Sequence, residues 1–224
     1  MNRCLQCHSA INETLHARNL FKRRRKLCCK CESQWKEIGI SKTNCCPTCL
    51  KTLAIKETQC LDCQFLAQKF KLMDQLYCDY RYDGVMKEIL HNYKFLKDVA
   101  LSELLAYKLK LPKQDYHYNI PIPSPIERDQ MRTFNPVEMV LEHLGVRYHR
   151  LLSTQLRAKQ SELDKLTRAQ QPNPFHLIND SIDLDDKNIL LIDDIYTTGL
   201  TIHHAACKIF VRKIRKLDVF TFAR

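Results

Sequence analysis

Two neighbouring carboxylates, Asp193 and Asp194, follow four consecutive apolar residues at 189–192. An apolar run of this kind predicts a strand that is buried on both faces. Open α/β sheets bind their ligands at the carboxyl ends of such strands. Because two adjacent carboxylates can accept hydrogen bonds from two adjacent hydroxyl groups, the pair predicts a site for a ribose 2,3-diol.

A hydroxyl-rich turn follows the acidic pair and contains Thr197, Thr198, Gly199 and Thr201. The next residues, 202–212, have apolar side chains at helical spacing and predict a helix. A loop that runs into a helix offers backbone N–H groups and a favourable dipole to a phosphate, and glycine allows a close backbone approach. The turn therefore predicts a site for a sugar 5-phosphate. A turn that only caps the helix is the structural alternative.

Eight of the twelve cysteines form four C-x-x-C knuckles within the first 63 residues. Each knuckle places two thiolates on one tight turn, and two knuckles complete a closed, structural zinc site. Sequential pairing predicts two sites, one formed by Cys4, Cys7, Cys28 and Cys31 and the other by Cys46, Cys49, Cys60 and Cys63. The spacing leaves other pairings and a single ion open, with Cys29 and Cys45 as alternative ligands. Cys78 and Cys207 are expected to be small core residues.

The net charge of +11 is unevenly distributed along the 224 residues. Residues 1–63 carry twelve Lys or Arg and five Asp or Glu, a surplus of +7, and the remaining residues carry +4. The densest cluster, at residues 16–26, includes Arg23, Arg24 and Arg25. Such a cluster can neutralise nucleic-acid phosphates, so we expect nucleic acid as a partner. A solvated basic loop and a contact for an acidic protein are the alternatives.

Two absences in the sequence bear on location. The chain has no run of eighteen apolar residues, so we expect no membrane span. Its first residues lack an apolar signal region, so we expect a cytoplasmic protein.

The segments around these residues have the alternating strand and helix patterns of an α/β fold. Strands are predicted at 76–82, 118–123, 146–152, 189–192 and 217–223, and helices at 64–74, 85–94, 98–109, 136–144 and 202–212. A polar loop is expected at 124–134, and a long polar insertion, of a length that is usually functional, at 153–187. We therefore expect a small zinc-ribbon-like module over residues 1–72 and an α/β domain over residues 73–224.

The stretch 189–201 resembles the phosphoribosyl-pyrophosphate (PRPP) motif of type I phosphoribosyltransferases. The resemblance implies a parallel-sheet core in which Asp193 and Asp194 hold the ribose diol during catalysis and the Thr/Gly turn holds the 5-phosphate. It also implies that Mg²⁺ accompanies PRPP and that Arg128 and Arg132 contact the diphosphate. The insertion at 153–187 would close over PRPP as a lid.

The chain as a whole resembles the ComF (ComFC) family. The resemblance is carried by Ile-Pro-Ile-Pro at 120–123, by Arg128 and Arg132 before Phe134 and Asn135, by the cysteine knuckles and by the motif at 189–201. The family acts in DNA uptake during natural transformation of bacteria, which implies single-stranded DNA and an uptake helicase as partners. Thr133 departs from the glycine that is common in the family. The lid is similar only at Gln160, Leu163, Arg168, Asn173 and Phe175.

Two functions of different classes follow. An active phosphoribosyltransferase of unknown acceptor, unrelated to DNA uptake, would stabilise diphosphate leaving C1 of the ribose by positioning, Mg²⁺ and basic side chains. A DNA-uptake protein would use the PRPP site beside incoming single-stranded DNA, with or without turnover. The motif does not separate these functions, because binding and catalysis use the same residues, and no nucleobase pocket is legible in the sequence.

Overall fold

The structure, a computed structural model, describes residues 2–12, 24–154, 172–179 and 181–224. The strands are β1 (Asn2–Arg3), β2 (Ala10–Ile11), β3 (Gln75–Tyr77), β4 (Tyr118–Pro121), β5 (Leu152–Thr154), β6 (Phe175–Leu177), β7 (Asn188–Ile195) and β8 (Lys216–Ala223). The helices are α1 (Cys29–Glu37), α2 (Leu61–Ala67), α3 (Gly84–Phe95), α4 (Leu101–Lys108), α5 (Ile126–Arg132), α6 (Pro136–His143) and α7 (Leu200–Ile209). None of the helices in these ranges is long and apolar enough to cross a membrane.

A four-stranded parallel sheet in the order β3-β8-β7-β4 forms the centre of the fold. Most residues of the two inner strands are apolar on both sides, and residues 217–223 of β8 are all buried, including Asp218 and Thr221. Such runs form because both faces of a parallel sheet are covered by other elements. The predicted α/β class with a parallel-sheet core is therefore confirmed.

Each face of the sheet has its own core. Ile192 and Phe222 belong to the core that contains residues of α3, α4 and α6 and also Trp35 from the first cysteine segment. Leu191 and Val219 belong to the opposite core, with residues of α7 and the second cysteine segment. The two cysteine segments thus cover opposite faces of one sheet. The division into units at 1–72 and 73–224 stays a prediction.

The expected polar loop at 124–134 was wrong in its conformation, since most of it is helix α5. Asp129 lies in the first turn of this helix and Arg132 in the last, an order of charges that complements the helix dipole. Thr133 ends the helix with φ of 73°, in the left-handed conformation that usually favours glycine at this position. Thr133, where the resemblance led us to expect glycine, therefore lies at a helix end.

The strand predicted at 146–152 was also wrong for most of its length, because β5 begins only at Leu152 and pairs antiparallel with β6. The preceding residues follow the edge of β4 through isolated hydrogen bonds. The His149 N–H donates to the Asn119 carbonyl at 2.8 Å, and Asn119 Nδ2 donates to the Arg147 carbonyl at 3.0 Å. An edge strand leaves backbone groups unpaired. This segment hydrogen-bonds to one of them, the Asn119 carbonyl, without forming a β-ladder.

Two segments start or stop elsewhere than predicted. The helix predicted at 64–74 is wrong for most of its length, because α2 covers Leu61–Ala67. The Cys60 sulfur accepts a hydrogen bond from the Cys63 N–H and caps the start of this helix. Strand β3 runs from Gln75 to Tyr77 and so covers only residues 76 and 77 of the predicted 76–82. The other predicted helices and strands are confirmed as α3, α4, α6, α7, β4, β7 and β8, with ends within a few residues.

Candidate functional site

Asp193 and Asp194 lie near the end of β7, at the carboxyl edge of the parallel sheet. Both are half-buried. The Asp194 N–H donates to Asp193 Oδ1 at 2.8 Å, which orients the first carboxylate. The structure therefore places the pair where ligands bind in open α/β sheets.

Burial is the main cause of an unusual pKa at Asp193. Together with the neighbouring charge of Asp194, it raises the pKa of the Asp193 carboxyl to about 8, against the effects of the Asp194 N–H and of Lys94. Below that pH the Asp193 carboxyl carries a proton and can donate one hydrogen bond as well as accept others.

Asp194 forms an ion pair with Lys94, which lies in the last turn of α3. Only 13% of the Lys94 side chain and 19% of the Asp194 side chain is exposed, so solvent and salt screen this pair less than a surface pair. Lys94 stands in no motif that the sequence singles out. Its spacing could have indicated that it is buried, because Lys94 lies one helical turn after Leu90 and two turns after Met86, which are both buried.

The turn after β7 combines a buried glycine with exposed hydroxyl groups. Gly199 is buried, has φ of +80° and precedes α7, whose start has no side-chain cap. A Cβ atom at this position would lie 2.2 Å from the Tyr196 hydroxyl. Thr197 and Thr201 are exposed and Thr198 is half-buried. Uncapped N–H groups with nearby hydroxyl groups are suited to an anion.

Arg128 and Arg132 lie one turn apart on α5, the first exposed and the second half-buried. Burial raises the pKa of Tyr93; the charge of Asp194 raises it further and that of Arg132 lowers it. Both charges therefore lie within electrostatic range of one hydroxyl group, on α3. A diphosphate contact for the two arginines stays a prediction.

A cavity of about 560 Å³ opens beside the carboxyl end of β4. Its apolar lining comes from Pro121, Pro123, Ile126, Phe134, Leu152 and Ile178. Asp129 and Asn135 supply polar groups, with the Asn135 amide donating to Asp129 Oδ2 at 3.0 Å, and burial raises the pKa of Asp129. No pocket was legible in the sequence, because the lining comes from separate segments that only the fold brings together.

The eight knuckle cysteines form two clusters, in the predicted sequential pairing. The first cluster is Cys4, Cys7, Cys28 and Cys31, and the second is Cys46, Cys49, Cys60 and Cys63. The sulfur atoms within each cluster lie within 4.8 Å of one another, for example 3.7 Å between Cys7 and Cys28 and 3.8 Å between Cys46 and Cys63. Sulfurs about 2.3 Å from a tetrahedral zinc ion are about 3.8 Å apart, so both clusters fit structural zinc.

The remaining cysteines lie outside the two clusters. Cys29 is exposed and its sulfur accepts a hydrogen bond from Arg25 at 3.5 Å, while Cys45 donates to the Lys42 carbonyl at 3.3 Å. Cys78 is buried, as expected, and Cys207 is half-buried on α7.

We expect purified protein to contain about two zinc ions per chain, because each ion takes four thiolates. Cys31→Ser and Cys63→Ser should each lower the content to about one ion, since three thiolates bind zinc less tightly than four. Cys29→Ser is the matched control and should leave the content unchanged. Plasma mass spectrometry measures the content, and a parent value of one or none contradicts the double site.

Comparison with known proteins identifies the family. No protein-family model matches the chain. The competence protein ComFC of Bacillus subtilis (strain 168) is 31% identical over 232 residues, covering 99% of this chain and 94% of the relative. ComFC of Streptococcus pneumoniae (strain ATCC BAA-255 / R6) is 31% identical over 226 residues, covering 99% of this chain and 98% of the relative.

A solved structure, a hypoxanthine phosphoribosyltransferase from Staphylococcus aureus, matches at 15% identity and a TM-score of 0.30, covering 70% of this chain and 69% of that one. The two relatives, by contrast, are similar over nearly their whole length. On that similarity, the chain belongs to the ComFC family of competence proteins.

Proposed function

We propose that this protein binds PRPP in its α/β domain and acts on or beside incoming single-stranded DNA in the cytoplasm, next to a helicase of the DNA-uptake machinery. The observation that supports the PRPP site most strongly is the position of Asp193 and Asp194. The pair lies at the carboxyl edge of the sheet and leads into the Gly199 turn and the start of α7. Membership of the ComFC family supports the role in DNA uptake.

In this proposal the ribose diol donates its two hydroxyl groups to Asp193 and Asp194. The 5-phosphate is bound by N–H groups at the start of α7 and by the hydroxyl groups of Thr197, Thr198 and Thr201. Asp194 already has the Lys94 ammonium as a partner. The diol therefore meets one carboxylate held by an ion pair and one that loses its proton near pH 8.

Mg²⁺ would enter with PRPP, and carboxylate oxygens such as those of Asp193 and Asp194 are ligands that suit it. When bound, it neutralises charge on the diphosphate as that group leaves C1. The two aspartates hold the ribose in place while C1 gains positive charge. Arg128 and Arg132 would contact the diphosphate with planar guanidinium groups.

The cavity beside β4 favours turnover, the element that the second candidate function, an active phosphoribosyltransferase, requires. Its volume of about 560 Å³ and its apolar lining with a few polar groups are typical of small-molecule sites. Isothermal titration with PRPP tests binding, and an assay of diphosphate release with candidate acceptors tests turnover. Binding with release only when an acceptor is added supports the enzyme, whereas binding without release supports a binding module.

The basic N-terminal segment leads to a prediction about DNA. Arg24 and Arg25 are exposed, so Arg24→Ala and Arg25→Ala together should weaken binding of single-stranded DNA and reduce the slope of log K against log salt by roughly 1.4. The control removes the same charge from exposed Lys110 and Lys113. Fluorescence anisotropy at several salt concentrations measures the DNA affinity and the salt slope of the parent and of the two double variants. Equal effects of the two double variants would mean that the segment has no special role in DNA binding.

A further inference from the structure

The second cysteine cluster contacts the glycine turn through Arg224. The Arg224 guanidinium donates to the Cys49 carbonyl and to the Cys49 sulfur, the latter at 3.3 Å. The same group lies 5.8 Å from the centre of the Tyr196 ring. Tyr196 is buried, and its hydroxyl occupies the place where a Gly199 side chain would be. One chain of contacts therefore runs from a cluster cysteine to Gly199.

Helix α2 forms a second chain of contacts. It begins between Cys60 and Cys63, and its fully buried Leu66 would lie 3.2 Å from a Cβ atom at Gly199. Just beyond α2, the Phe70 ring lies 5.9 Å from the ring of His203, whose Nδ1 is 2.8 Å from the Gly199 carbonyl oxygen. The turn thus packs against α2 and the residues that follow it, and the cluster anchors the start of α2.

From these contacts we infer that Arg224 and Tyr196 are positioning residues, which link metal in the second cluster to the shape of the turn at 197–201. Zinc in that cluster and the sugar phosphate in the turn would then stabilise each other's binding. The inference rests on the proposed function, because it takes the 5-phosphate of PRPP as the ligand of the turn.

The direction of the link follows from charge and anchoring. Four thiolates around one zinc ion leave a charge of about −2, which the Arg224 guanidinium beside Cys49 offsets. Without the ion, α2 loses the anchor at its first turn and Leu66 loses its fixed position under Gly199. Groups in this outer position typically change metal affinity about 10- to 100-fold. Because binding linkage is reciprocal, PRPP must raise zinc affinity by the same factor by which zinc raises PRPP affinity.

Hydrogen–deuterium exchange tests the link without PRPP. We expect amides at 196–203 to exchange at least about fivefold faster in zinc-loaded Arg224→Gln than in the parent, because the turn loses support. Cys60→Ser, which removes a ligand, should act in the same direction. Arg224→Gln keeps all four cysteines and remains informative if Cys60→Ser folds poorly. The control Arg215→Gln changes an exposed arginine at the other end of β8 and should exchange like the parent.

A zinc-release assay with a chromogenic chelator tests the reciprocal effect. The zinc phase that is absent from Cys60→Ser belongs to the second cluster. PRPP with Mg²⁺ should raise the zinc affinity of that phase about five- to a hundredfold in the parent, and much less in Arg224→Gln. The phase from the first cluster should be unaffected in both proteins.

The outcomes separate the inference from the proposed function. Unchanged exchange at 196–203 in both Arg224→Gln and Cys60→Ser overturns the link, whatever PRPP does. If exchange is faster in both variants but the parent does not bind PRPP, the link between metal and turn is supported and PRPP is rejected as the ligand. Faster exchange together with zinc retention by PRPP supports both.

Discussion

At pH 9, where the Asp193 carboxyl is ionised, Asp193→Asn and Asp194→Asn are each expected to weaken PRPP binding roughly ten- to a hundredfold, since a hydrogen bond to a charged group contributes about 1.5–3 kcal/mol. Both changes keep the size of the side chain and replace a carboxylate by an amide. Asp186→Asn, on the surface before β7, is the matched control, because asparagine accepts the φ of 55° found there. Isothermal titration measures all four proteins. If the two site variants bind PRPP like the parent, the sugar-phosphate site is wrong.

The raised pKa of Asp193 adds a pH dependence to this prediction. PRPP affinity of the parent should increase from pH 6 to pH 9, by up to about tenfold per pH unit below pH 8, as the carboxylate that accepts the diol forms. Asp193→Asn should lack this increase. Ionisation of PRPP itself affects both proteins alike, so the difference between their profiles isolates Asp193.

Stability should change in the opposite direction with pH. The folded protein holds the Asp193 proton up to about pH 8, whereas an ordinary Asp loses it near 3.8. The folded state therefore binds more protons between these values, and the contribution of Asp193 to stability falls as pH rises through them. The melting temperature of Asp193→Asn minus that of the parent should therefore be larger at pH 9 than at pH 5. A difference in melting temperature that does not change with pH would contradict the raised pKa.

Asp194→Asn should behave differently from Asp193→Asn in the same melts. It leaves the largely buried Lys94 ammonium without its carboxylate, and an unpaired buried charge is destabilising. We therefore expect Asp194→Asn to have a lower melting temperature than the parent.

Gly199→Ala is expected to abolish measurable PRPP binding and to lower the free energy of unfolding by roughly 2–5 kcal/mol. About 1–2 kcal/mol of this comes from the left-handed backbone and about 1–3 kcal/mol from overpacking. The overpacking follows from the position of the new methyl group, 2.2 Å from the Tyr196 hydroxyl and 3.2 Å from Leu66 Cδ1. Either the turn or the Tyr196 ring must move, and both belong to the site.

Gly145→Ala is a matched control for this change. Gly145 has φ of +66°, yet a Cβ atom there would meet nothing within 4 Å. It should therefore lose only the backbone contribution, about 1–2 kcal/mol, and bind PRPP normally. Chemical denaturation and titration on both variants separate strain from crowding. Equal losses of stability in the two variants would show that the Tyr196 contact has no energetic consequence.

Sequence was sufficient for the features that depend on neighbouring residues. A C-x-x-C knuckle closes within one turn, so the spacing of the cysteines predicted four knuckles and favoured sequential pairing, while the fold brought the paired knuckles together. The apolar run before Asp193 and the helical pattern after Gly199 likewise indicated β7 and α7. The pattern was less informative at 124–134, where the charge order along α5 was read as a polar loop.

Only the tertiary structure decided which distant residues meet. Lys94 reaches Asp194 because α3 packs on the face of the sheet to which Ile192 and Phe222 belong. Arg224 reaches Cys49 because the second cysteine segment covers the other face. Periodicity indicates that a face is buried but not what covers it, since many arrangements satisfy the same pattern. The pKa of Asp193 depends on that covering, because desolvation is set by every element packed around the carboxyl group.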